Sequence, residues 1–130
     1  MKANLFLIIG VIAVLLALPI SNAKEEFLSS DYIKTYISKN YPVIPKNNIN
    51  IKILDIKISW WNAWFEAPNI IIIARQDIKT DKDLDWLLNH ELNHFYCYKL
   101  YKKIDEKHKD KRCFIMGESK YNFKNITFIK

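Results

Sequence analysis

Hydrophobic and polar positions change their period several times along this chain, and each change marks an element. Leu5 to Leu18 is a continuous apolar run behind a single positive charge at Lys2. Pro19 breaks it, and Ser21 and Ala23 place small residues where a signal peptidase needs them. At about 14 residues the run falls short of the ~20 that span a bilayer. Residues 1–23 therefore read as a cleavable signal peptide, with an uncleaved membrane anchor through residues 5–18 as the second reading. The remaining 24–130 suits one small domain, secreted or held on the outer face of the cell membrane.

Beyond the leader the period becomes helical. Ile33, Tyr36 and Ile37 form an apolar stripe over about Asp31–Lys39, with Ser29 or Ser30 as cap. Asn40–Asn50, with Pro42 and Pro45, reads as a loop. Ile49, Ile51 and Ile53 alternate with polar residues, and Ile56, Ile58 and Trp60 continue on the other parity. That shift predicts a bulge within one long strand. Trp60-Trp61-Asn62-Ala63-Trp64-Phe65 reads as core or a packed rim, with substrate contact as the alternative. Ile70–Ala74 is an apolar run of the kind buried on both sheet faces. From Thr80 or Asp81, capped and begun with Asp83 and Asp85, the helical period returns. Leu84, Leu88, Leu92 and Phe95 fall in one row. Past Tyr101 the chain turns to charge, from Lys102 to Arg112, as a solvated loop does. Cys113–Lys130 predicts one more strand or short helix and contains a glycosylation acceptor, Asn125-Ile126-Thr127.

Composition narrows the picture. The formal net charge of the 130 residues is +6. Solubility is one reading of it and attraction to anionic lipids or acidic substrates another; no nucleic-acid partner is expected. In an oxidising compartment the two cysteines, Cys97 and Cys113, are expected to form a disulfide around the charged segment.

The chemistry lies in Asn89-His90-Glu91-Leu92-Asn93-His94. His90 and His94 at i and i+4 share a helix face, where two imidazoles can bind one metal ion while Glu91 reaches metal-bound water. Random placement of three His and six Glu gives the pattern in about three chains per thousand. Catalytic zinc takes three protein ligands and an open position. Glu91 would then be general base, and the histidines must be neutral to ligate. His108 is the one remaining histidine. A continuous helix would carry it roughly 21 Å from His94, so the helix must end near Leu100–Ile104 for the chain to turn back. Glu118, Glu106 and Asp105 are rival oxygen ligands.

His90-Glu91-Leu92-Asn93-His94, the later His108, and Arg112-Cys113-Phe114-Ile115-Met116 resemble the metzincin clan of zinc peptidases, archaemetzincins above all. In that family a third histidine precedes, by eight residues, the methionine of a turn beneath the metal. His108 and Met116 keep this separation, so the resemblance implies His108 as third ligand and Met116 as Met-turn. It also implies an edge strand that binds substrate in extended form. The clan motif would place glycine at Cys97 and histidine at Leu100, so about eight residues stand inserted before His108. The archaemetzincin cysteines that hold a second zinc are absent, and one zinc ion is expected.

The sequence thus predicts an α+β domain, a small mixed twisted sheet packed on the helix with the histidines. It predicts a zinc peptidase acting on peptides or proteins through Glu91, His90, His94 and His108. Glu118 as third ligand would give a gluzincin-like site. The alternative function is a non-catalytic secreted or anchored binding domain, with no zinc or a structural one.

Overall fold

The computed structural model describes residues 27–58 and 62–127. The predicted leader and the Trp60-Trp61 pair lie outside these residues. Among the described residues the architecture is a small α+β fold of three helices, a mixed three-stranded sheet and a two-stranded hairpin. Among the described residues no helix is long and apolar enough to cross a membrane.

Helix α1 spans Ser30–Asn40. The Ser29 side chain accepts from the Tyr32 N–H, and Ile33 and Ile37, one turn apart, are buried. The segment read as a loop contains one helical turn, α2 (Val43–Lys46), with Pro42 at its cap. Proline there loses no hydrogen bond, because an amide at a helix start has no intrahelical partner.

Strand β1 (Asn50–Leu54) is followed by β2 (Ala63–Glu66) and β3 (Ile70–Ala74). The order is β1-β3-β2, with β3 parallel to β1 and antiparallel to β2. β3 thus has a neighbour on each edge, and its successive residues from Ile71 to Ala74 are all buried, so both faces are covered and the run carries no polar alternation. The expected long bulged strand is not formed. Strand β1 ends at Leu54, the chain bends at Asp55, and Ile56 to Ile58 are outside the sheet. The change of parity marks the end of the strand.

Helix α3 (Asp81–Tyr101) packs on the sheet at β2, where Phe65 meets Phe95 and Tyr98. Its first turn is closed by a capping box: Thr80 Oγ1 accepts from the Asp83 N–H, and the Asp83 carboxylate accepts from the Thr80 N–H. Asp85 has a different task from the one its position suggests. It accepts from Tyr36, Tyr41 and Lys124, joining α1, α3 and the C-terminal segment. Leu84, Leu88, Leu92 and Phe95 are buried in the main core with Ile33, Ile71 and Ile73. Two asparagines of the histidine motif hold the chain end in place. Asn93, fully buried, exchanges hydrogen bonds with the Tyr121 backbone, and the Asn89 side chain accepts from the Phe123 N–H.

Past α3 the packing changes. A second, smaller core contains Cys97, Cys113 and Phe114. Cys97 and Cys113 form a disulfide, with Cα atoms 5.9 Å apart. The hairpin of β4 (Phe114–Ile115) and β5 (Glu118–Ser119) turns on Met116 and Gly117, whose φ angles are 51° and 83°. Positive φ at both central residues is what a two-residue turn of type I′ requires.

Candidate metal centre

Helix α3 stops where the histidines need it to. Lys102 takes the left-handed conformation (φ 57°) and its N–H reaches the Tyr98 carbonyl, so a lysine does what glycine usually does at a C-terminus. The following loop is built from its own polar groups. The Asp105 carbonyl accepts from the His108 N–H, and its carboxylate accepts from the Asp110 N–H. The Asp110 carbonyl accepts from the N–H groups of Cys113 and Phe114. Arg112 pairs with the Asp110 carboxylate and lies 3.6 Å over the Tyr101 ring. With the disulfide joining Cys113 to α3, these contacts bring His108 back over the helix.

Three imidazoles meet there. His108 Nε2 stands 3.1 Å from His90 Nε2 and 3.1 Å from His94 Nε2. An imidazole nitrogen has one in-plane direction, occupied by a proton or by a lone pair. It cannot hydrogen-bond to two other rings at once. Three nitrogens this close are instead arranged as the donors of a shared cation. Adjacent corners of a tetrahedron with bonds of ~2.0–2.1 Å are about 3.3 Å apart, close to the two separations from His108, and all three ligand atoms lie within 4.8 Å of one another. The group of His90, His94 and His108 could hold a metal ion.

Their protonation suits the task. Burial pushes the His90 and His94 imidazoles down to about 4, and the neighbouring histidines push the same way. Both are therefore neutral at pH 7, the ligating form. If Nε2 presents its lone pair, Nδ1 carries the proton. Neither His90 Nδ1 nor His94 Nδ1, both buried, has a hydrogen-bond partner among the described residues. Metal-binding histidines more often fix the ring through that N–H. Here aromatic packing does so. The Phe114 ring lies 5.5, 4.8 and 4.7 Å from the His90, His94 and His108 rings, and Trp86 stacks on His90.

Glu91 faces the same cleft, a cavity of about 390 Å³ walled by Trp64 and Phe65 of β2 and by Ile104 of the loop. Only 5% exposed, its carboxyl is pushed up to about 7 by burial, partly offset by the Phe65 backbone N–H. A carboxyl poised near neutrality both accepts and returns a proton.

Two expected site residues are placed elsewhere. Met116 is 99% exposed and does not lie beneath the three rings. Had β4 continued, the alternation of side chains would have put residue 116 on the Phe114 face; the turn at Met116-Gly117 sends it outward instead. Phe114 is the floor, and Gly117 was the signal in the sequence that could have pointed to it. Glu118 is exposed on β5 and is not among the clustered ligands, although its charge reaches His90. Glu106 lines the cleft, and Asp105 is used within the loop. Compared with protein-family models, curated proteins and solved structures, the chain matches none of them.

Proposed function

We propose that this chain is a zinc-dependent peptidase, similar in the order of its site residues to the metzincins, with Phe114 replacing the methionine floor. The observation that carries the reading is the meeting of three imidazoles, those of His90 and His94 held neutral by burial, beside a buried glutamic acid in one open cleft. His90, His94 and His108 would hold the ion; three imidazoles leaving a position free is a donor set of catalytic zinc. When bound, zinc there supplies Lewis acidity, which acidifies water and polarises a carbonyl.

The other roles belong to the chain. Glu91 takes the proton of the attacking water and returns it to the departing amine, which its near-neutral carboxyl allows. Phe114 and Trp86 keep the His90 ring in position. The outer edge of β2, which has no strand beside it among the described residues and whose Phe65 N–H faces Glu91, borders the cleft through Ala63 to Phe65. An extended peptide can add to that edge with main-chain hydrogen bonds, which favours a peptide or protein substrate. Residues 1–23 would take the enzyme out of the cytoplasm.

The test is metal analysis and peptide hydrolysis for the full chain and for Glu91→Gln. One zinc per chain is expected in both, with turnover in the variant lower by at least about 10²-fold. Undiminished hydrolysis by Glu91→Gln would remove the catalytic assignment. Zinc held by four protein ligands, without hydrolysis, would favour the non-catalytic binding domain instead.

A further inference from the structure

The β4–β5 hairpin does something the metal centre does not ask of it. Its turn carries Met116 fully into solvent, at 99% exposure, beside Ile115 at 54%. Trp86, 60% exposed, shares a hollow with Gly117 of the same turn and another with Ser119 and Lys120. Three large apolar side chains therefore stand out from one corner of the molecule. The turn is a fixed one, since both central residues hold positive φ and the disulfide anchors the strand leading into it.

The surroundings are basic. Lys107, Lys109 and Lys111 precede the hairpin and Lys120 follows it; all are exposed, and none forms an ion pair among the described residues. Lys120 donates to the Lys111 carbonyl, which holds its ammonium group against the segment leading into the hairpin. The acids of the segment are fewer. Asp110 is already paired with Arg112 and the Asp105 carboxylate is used within the loop, leaving Glu106 at the cleft and Glu118, opposite Ile115 in the ladder.

We infer that this corner docks on an anionic lipid surface, with Met116, Ile115 and Trp86 entering the headgroup layer and the lysines meeting its negative charge. A convex apolar tip fits a soft interface better than it fits a protein pocket, and exposed lysines flanking it in the chain are what negative headgroups attract. Docking there would place the cleft beside the membrane, with Trp86 between the two.

The chain has two methionines, Met1 and Met116, so methyl-labelled methionine reports on this tip almost alone. The full chain is placed with nanodiscs of phosphatidylcholine, with or without phosphatidylglycerol, containing a lipid spin-labelled on its acyl chain. The Met116 methyl signal should broaden in the anionic discs and remain sharp in the neutral ones. Insertion of residues 5–18 would be common to both kinds of disc, so the difference between them reports charge-dependent docking of the tip. Lys111→Gln with Lys120→Gln should raise the lipid concentration for half-broadening by about thirty-fold. A Met116 signal unaffected by lipid, or equally affected in neutral discs, overturns the proposal. So does a Met116 signal that shifts on adding a peptide substrate without lipid, which would make the tip a substrate contact.

Discussion

The three histidines come from two regions held together by different means. His90 and His94 belong to a helix whose apolar row is buried in the main core, against α1 and the three-stranded sheet. His108 belongs to a loop whose local core contains three buried residues, Cys97, Cys113 and Phe114. Three side chains are too few to order a segment by burial alone, since each fixed residue costs about 1–2 kcal/mol of backbone entropy. The loop is held by a disulfide, by hydrogen bonds to Asp105 and Asp110, and by residues in left-handed conformations. The helix half of the site should therefore persist under changes that destroy the loop half.

The largest expected effect comes from taking away the loop's ligand. His108→Ala should weaken zinc binding by several orders of magnitude while leaving thermal unfolding of the metal-free chain nearly unchanged, as a dialysis titration and a melting curve would show. Glu118→Ala, by contrast, should leave zinc affinity almost untouched. The reverse pattern would give the third position to Glu118.

Next comes the staple. Replacing both cysteines by alanine should cost about 3 kcal/mol of stability, as expected for a closed loop spanning a sequence separation of 16. The loss should be concentrated past Tyr101, with amide exchange rising from Lys102 to Phe114 and little changed in α3 up to His94. Uniform loss of protection would mean that the two regions unfold as one.

How far each region could be read from the sequence follows the same division. Helix α3 was legible because Leu84, Leu88, Leu92 and Phe95 repeat at helical spacing and Thr80 stands where a cap belongs. β3 was legible from four consecutive isoleucines. The loop offers no period. Its course depends on Lys102 and His108 at positive φ and on the side chain of Asp105, none of which a hydrophobic pattern records. Spacing to His108 suggested Met116 as the floor, but distance along the chain does not reveal the direction of a side chain. The two-residue turn decided that, and Phe114 took the place. Asn89 and Asn93 are likewise silent in the sequence, though their side chains bind the C-terminal backbone.

Acid separates the regions differently. Burial pushes the Asp85 carboxyl up, but hydrogen bonds from Lys124, Tyr41 and Tyr36 outweigh it and hold the group below its ordinary value. A carboxyl lowered by folding stabilises above its unfolded pKa of about 3.9, and that contribution is lost as pH falls through the lowered value. Denaturant midpoints should decline between about pH 5 and pH 3, and less steeply in Asp85→Asn. An identical decline in the variant would place the acid sensitivity elsewhere.

The smallest expected effect lies at the far end of α3. Thr80→Ala removes a cap and should cost about 1 kcal/mol of stability. Zinc affinity should hold, because His90 and His94 lie more than two turns from that end. A fall in affinity would show that the helix transmits fraying along its length.

The central claim is that one metal ion joins the two regions through three imidazoles. X-ray absorption at the zinc edge, on the full chain loaded with one equivalent, tests it most directly. The account predicts three imidazole nitrogens at about 2.0–2.1 Å and one oxygen from water, with one imidazole lost in His108→Ala. Sulfur in the shell, or the same imidazole count in wild type and His108→Ala, would contradict it.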